Sequence, residues 1–245
     1  MKLVLPFLFA SLAVDAFEIV APKSSLDAWA HQADLQRDEG ITKELKTRSS
    51  TRIIGGSDAP AGRYPYYTYV ELTTGDDEVF ICSATLIWED MLLSAAHCVL
   101  DILGTGATFK KVEAFVGLES QDLRDDAHFS AVERSLPHPN YTVGTEENDI
   151  LLFKLVTPST ITPVRLNFDP AVPADGTTVD AFGFGVTSTD TDPVLPTILQ
   201  TVSVSVVPIA ECNDANSFNG AINATVMMCA GVPEGGKVNI HTISS

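Results

Sequence analysis

Residues 3–14 form a nearly unbroken apolar run, interrupted only by Pro6 and Ser11. Lys2 precedes it, and Val14 and Ala16 stand three and one residues before a cut ahead of Phe17. A positive start, an apolar stretch and small residues at those two places predict a signal peptide over residues 1–16. The run is too short to cross a bilayer as a helix, and no other stretch is longer and as apolar, so no membrane span is expected. A buried core helix is the alternative, and the extreme N-terminal position argues against it. Residues 17–52 then read as a pro-segment. Leu26, Trp29, Ala30 and Ala33 give it a weak helical repeat, with Ser24 and Asp27 at capping spacing. Its end, residues 46–52, is polar and basic, which suits an exposed and easily cut stretch.

From residue 53 the rhythm changes. Short runs rich in Val, Ile, Thr, Phe and Tyr at 66–72, 79–87, 112–117, 150–155, 179–184, 199–207 and 226–229 are bounded by Gly, Pro, Asp and Thr. These read as strands, with helical signals only at 95–100 and 208–215. Many short strands separated by turn residues predict an all-β barrel or sandwich. No internal repeat is visible.

Charge narrows the function. The net charge is −17. Residues 1–52 hold seven basic and seven acidic side chains, so the excess lies wholly in residues 53–245. Such a surface repels phosphate backbones and anionic lipid, which excludes nucleic acid as the expected partner. Cys82, Cys98, Cys212 and Cys229 suit disulfides in a secreted chain. Four cysteines allow three pairings, and spacing alone does not choose among them. With no C-x-x-C, nothing in the spacing points to a metal site, and no metal or cofactor is expected.

Five ordered segments carry the chemistry: Arg52-Ile-Ile-Gly-Gly56, Cys82-Ser-Ala-Thr-Leu-Ile87, Leu93-Ser-Ala-Ala-His-Cys98, Asn148-Asp-Ile-Leu-Leu-Phe-Lys-Leu155 and Met228-Cys-Ala-Gly231. His138-Pro-Asn-Tyr141 and Gly183-Phe-Gly185 fit the same series, with Phe184 where tryptophan is usual. In order and spacing this set resembles the trypsin/chymotrypsin family of serine proteases, over residues 53–237. The resemblance implies two packed antiparallel β-barrels with an active site in the cleft between them. It implies that His97 is the general base and Asp149 the acid that orients it. Imidazole suits the task because it titrates near neutrality. A structural histidine beside a disulfide, and an aspartate opening a strand, are the plainer alternatives. His31, His128, His138 and His241 lack a matching context and read as surface residues. The resemblance also pairs Cys82 with Cys98 and Cys212 with Cys229. It makes Arg52–Ile53 the activation cleavage that turns a secreted zymogen into an enzyme acting on protein or peptide substrates.

The resemblance stops within a motif. After Gly235-Gly-Lys237 the family continues Asp-Ser-Cys-Gln-Gly-Asp-Ser-Gly-Gly-Pro, whereas residues 238–245 here read Val-Asn-Ile-His-Thr-Ile-Ser-Ser. The nucleophilic serine, the oxyanion hole and the last strands are therefore not among these residues. The expectation is a trypsin-like double barrel whose second barrel is incomplete and bare along one edge, and a chain inactive as given. A non-catalytic, protease-like binding protein of the glucanase-inhibitor type, with a protein partner, is the alternative reading. Retention of both His97 and Asp149 weighs against it. Asn140-Tyr-Thr and Asn223-Ala-Thr offer two glycosylation sequons in a secreted context.

Overall fold

The computed structural model describes residues 3–6, 53, 55–144, 146–169, 171–185, 187 and 195–231. Strands β1 (Leu3–Pro6), β2 (Ser57–Asp58), β3 (Tyr67–Thr74), β4 (Val79–Trp88) and β5 (Met91–Ser94) lead to helix α1 (His97–Gly104). Strand β6 (Phe109–Val116), a 3₁₀ helix (Gln121–Asp126), β7 (His128–Pro137), β8 (Leu151–Leu155) and β9 (Thr178–Gly183) follow. Then come β10 (Gln200–Val207), helix α2 (Ile209–Cys212) and β11 (Met227–Gly231). Both expected helical turns are present, and each of the seven expected strands appears with its bounds moved by a few residues. No helix among the described residues is long and apolar enough to cross a membrane.

Strand alternation builds the first half. In β8, Leu151, Phe153 and Leu155 are buried while Leu152 and Lys154 are half-buried between them, as a period of two requires. Antiparallel pairing closes β3, β4, β5, β8, β7 and β6 into a six-stranded barrel. Its interior holds Val70, Leu72, Leu86, Leu92, Val116 and Phe153. The hairpin between β4 and β5 is tied outside by the Lys154–Asp90 ion pair.

The second half stays open among the described residues. Its sheet runs β1, β11, β10, β2, with β9 also paired to β10. The expected gap is thus real, but the edge of β11 is not bare. Leu3–Pro6, within the segment read as a signal peptide, lies antiparallel to it, Leu3 opposite Ala230 and Pro6 opposite Met227. Unpaired strand N–H and C=O groups favour such an added strand. The rest of the predicted signal peptide, the pro-segment 17–52 and the tail 238–245 lie outside the described residues.

Aromatic side chains join the halves. Tyr67 and Tyr69 of the barrel pack on Phe184 with ring centroids 5.7 Å away in each case. Tyr64 stacks on Phe182 at 4.1 Å. Phe184, where the family usually has tryptophan, is therefore a buried part of this seam. A polar bond ties the same seam: the Tyr64 hydroxyl donates to Asp180 Oδ2 at 3.1 Å, while Ser203 Oγ, across the β9–β10 ladder, holds Asp180 Oδ1 at 2.7 Å.

Ile53 begins the second half and is 2 % exposed. It packs with Ala181, Val202, Val204 and Ala230. A Cβ on Gly56 would stand 2.7 Å from Ile53 Cγ2 and 3.0 Å from the Thr201 carbonyl oxygen. Glycine at that place in the Ile-Ile-Gly-Gly motif is what lets the Ile53 side chain sit down. Arg52 lies outside the described residues.

Candidate active site

Sheet register brings the two central residues together. Strands β5 and β8 are antiparallel neighbours with Ser94 opposite Leu151. The chain leaving β5 and the chain entering β8 therefore meet at one end of the barrel. His97 lies three residues past Ser94, and Asp149 two residues before Leu151, so both fall at that end. A separation of 52 residues becomes a contact: His97 Nδ1 and Asp149 Oδ2 are 2.7 Å apart.

Asp149 does a second job. Ala96, at the N-cap of α1, offers no side-chain cap. The His97 backbone N–H donates instead to Asp149 Oδ1 at 2.8 Å. One carboxylate thus satisfies an orphan donor at the helix start and holds the imidazole of the same residue. Two bonds to one residue fix the rotation of both groups. The His97 side chain keeps 20 % of its surface and that of Asp149 10 %, so the imidazole is the more accessible of the two.

Two disulfides brace the chain, the first of them beside this frame. Cys82 on β4 is bonded to Cys98 on α1, across 16 residues. Cys212 on α2 is bonded to Cys229 on β11, across 17. Of the three pairings open from spacing, the structure contains the one that the resemblance implied. Closing loops of this length restricts the unfolded chain by about 3 kcal/mol each.

Several acids surround the pair. Asp101, one turn along α1, accepts a hydrogen bond from the Tyr141 hydroxyl at 3.0 Å. Glu146 is half-buried, and its carboxylate reaches to within 4.8 Å of ligand atoms of His97 and Asp149. Burial is the largest single influence on the His97 imidazolium and pulls its pKa down. The bond to Asp149 and its charge, then the charges of Glu146 and Asp101, push it up and prevail, leaving it above the usual 6.5. With the folded value above the unfolded one, protonated His97 stabilises the fold fully below about pH 6.5. That contribution is lost as pH rises through the folded-state value. NMR titration of the His97 ring is expected to place its pKa above 6.5, and Asp149→Asn to lower it. An unchanged value in that variant would show that the bond does not set the titration.

The other sequence candidates are placed as follows. Asn140 is exposed and Asn223 half-buried. Asn223 Nδ2 donates to Glu147 Oε1 at 3.2 Å, and its Oδ1 accepts from the Thr225 hydroxyl at 2.6 Å. His128 and His138 are both half-buried. His138 is tied into the turn that leads to the site, since its Nδ1 accepts from the Asn140 N–H at 3.2 Å. Glu146, Asp101 and Tyr141 were missed as site neighbours. Only the run of acids directly before Asn148-Asp149 hinted at the first.

The family model described as Trypsin matches residues 53–241, past the Lys237 at which the motifs end. Trypsin-1 of Astacus astacus is 31 % identical over 194 residues, spanning 76 % of this chain and 77 % of that protein. Trypsin-2 of Salmo salar is 32 % identical over 191 residues, spanning 76 % of this chain and 74 % of that protein. The solved structure described as "Structure of GrC" superposes with a TM-score of 0.64 at 24 % identity, over 74 % of this chain and 77 % of that one. This last likeness concerns the fold alone.

Proposed function

The chain belongs to the trypsin family, and from that premise we propose that it supplies the acid–base half of a secreted serine endopeptidase made as a zymogen. The observation that carries the reading is the pair of hydrogen bonds from Asp149 to one residue, to His97 Nδ1 at 2.7 Å and to the His97 N–H at 2.8 Å. With the Nδ1 proton directed at Asp149, the lone pair lies on Nε2. There it accepts the proton of a serine hydroxyl as Oγ bonds to the scissile carbonyl carbon. It returns that proton to the departing amine as the C–N bond breaks, and water releases the acyl group by the same route. Asp149 holds the ring in this orientation and stabilises the imidazolium.

Disulfide-bonded cysteines suit an oxidising compartment, which supports secretion. The burial of Ile53 beside Gly56 supports activation at Arg52–Ile53, because the residue behind that bond is already seated in the second half. Protein or peptide chains are the substrates in this reading. Taken alone, residues 1–245 are inert, since no Gly-Asp-Ser-Gly-Gly stands among them.

Extension supplies the test. Residues 53–237 are joined to the C-terminal segment of a trypsin relative that carries Gly-Asp-Ser-Gly-Gly, and treated with a fluorophosphonate probe in the presence of a chelator. The folded, disulfide-bonded chimera is expected to be labelled on serine, and His97→Ala to remove the label. A folded chimera that stays unlabelled would defeat the reading.

A further inference from the structure

We propose that Asn140, and not Asn223, carries an N-linked oligosaccharide. Both residues open an Asn-x-Thr sequence with no proline in the middle, so the sequence treats them alike and the fold separates them. Asn140 lies in the turn that follows β7 and is exposed, with Pro139, Thr142 and Val143 exposed around it. Only its backbone is engaged. Its N–H donates to His138 Nδ1 at 3.2 Å, and its carbonyl accepts from Asn148 Nδ2 at 3.2 Å. Its side-chain amide makes no hydrogen bond among the described residues. A bulky, hydrated substituent on Nδ2 therefore displaces no contact there.

The turn itself is anchored without help from that side chain. The His138 N–H donates to the Ile150 carbonyl at 2.8 Å. Tyr141, the middle residue of the sequon, is buried, and its hydroxyl donates to Asp101 at 3.0 Å. Carbohydrate at Asn140 thus leaves the packing behind it intact.

Asn223 differs on each count. It is half-buried, and both ends of its amide are used. Nδ2 donates to Glu147 Oε1 at 3.2 Å, and Oδ1 accepts from the Thr225 N–H at 3.1 Å and from the Thr225 hydroxyl at 2.6 Å. A sugar on Nδ2 would crowd Glu147 out of this arrangement. Asn223 also lies inside the loop closed by Cys212–Cys229, whereas Asn140 lies outside both disulfide loops. A transferring enzyme needs an extended stretch of chain, so closure of that disulfide competes with transfer at Asn223 alone.

The co-reactant is a lipid pyrophosphate-linked oligosaccharide. Asn140 Nδ2 bonds to the anomeric carbon as the bond from that carbon to the pyrophosphate oxygen breaks. The lipid pyrophosphate leaves and takes up the proton that Nδ2 loses. The inference rests on the secretion reading, because such transfer takes place in the lumen of the secretory pathway, and not on the proteolytic one.

The test expresses the full 245-residue chain in eukaryotic cells, once from its own start and once behind an established cleavable leader. Lumenal and secreted product is denatured, treated with peptide N-glycosidase and mapped by mass spectrometry. One glycan is expected to be released, leaving aspartate at position 140 and asparagine at 223. Asn140→Gln and Thr142→Ala are each expected to abolish the mobility shift on treatment, Thr142→Ser to keep it, and Asn223→Gln to leave it unchanged. Lumenal chain that retains asparagine at both positions, or gains aspartate at 223, would overturn the assignment. The readout is taken on denatured chain, so no variant has to fold. The leader-fused version reaches the lumen whatever residues 1–16 do. Absence of lumenal product from the chain's own start therefore counts against the secretion reading, while the leader-fused chain still decides the glycan.

Discussion

Mixed with a fluorophosphonate probe, the 245-residue polypeptide is expected to remain unlabelled, and His97→Ala to make no difference. His97 and Asp149 are 2.7 Å apart, but an imidazole so held accelerates nothing as a base without a nucleophile in reach of it. The serine nearest to His97 along the chain cannot serve. Ser94 is fully buried, and its hydroxyl donates to the Ser83 carbonyl at 2.8 Å. Ser83 in turn spends its own hydroxyl on Tyr67 at 3.1 Å. In the serine-protease template, loss of the nucleophile costs ~10⁶-fold in kcat, and the remaining ~10³–10⁴-fold over water comes from the oxyanion hole and substrate binding. At 1.36 kcal/mol per decade the first loss alone is ~8 kcal/mol of transition-state stabilisation. Without the Gly-Asp-Ser-Gly-Gly backbone the second contribution goes too. In-gel fluorescence decides the matter, and a label on this polypeptide that depends on His97 would refute the expectation.

The legible part of the fold was the part written in local pattern. Runs such as those of β4, β8 and β10 are apolar enough to announce themselves, and their burial alternates or saturates as expected. Strands β5 and β7 were not read. β5 has only four residues and merges with the motif around His97. β7 presents His128, Glu133 and Arg134 within a strand that buries only Ser130 completely, so its placement depends on pairing with β6 and β8 rather than on hydrophobicity. The same division runs through the site. His97 and Asp149 were named from motif likeness, yet what joins them is the β5–β8 register, a long-range fact with no local trace. The capping of α1 by Asp149 and the approach of Glu146 are consequences of that register. Residue types flanking Asp149 could hint at them but not locate them. The pairing of β1 with β11 was likewise invisible, because edge strands recruit partners through backbone groups that every residue carries.

Phe153→Ala is expected to destabilise the domain by ~3–5 kcal/mol, the usual cost of deleting a large aromatic from a closed core. Against a whole-domain stability of ~5–15 kcal/mol, that removes about a fifth at the least and leaves a measurable unfolded fraction at moderate temperature. Phe153 has no exposed surface and sits in the middle of the barrel interior, with Leu92 and Ser135 as its cross-strand neighbours. Neither adjoining strand can close in on the space without giving up ladder hydrogen bonds. Phe129 supplies the contrast. It is 52 % exposed and makes one tilted ring contact with Phe115 at 5.5 Å, so Phe129→Ala is expected to cost about 1 kcal/mol. Urea unfolding followed by tryptophan fluorescence compares the two. Loss of Phe153 should also reach the chemistry. Asp149 is set by the start of the same strand, and loosening β8 relaxes its grip on His97. The His97 pKa is then expected to fall from its raised value in Phe153→Ala and to stay raised in Phe129→Ala. Equal midpoints for the two variants, or an unmoved His97 in the first, would mean that the barrel interior does not hold the pair in register.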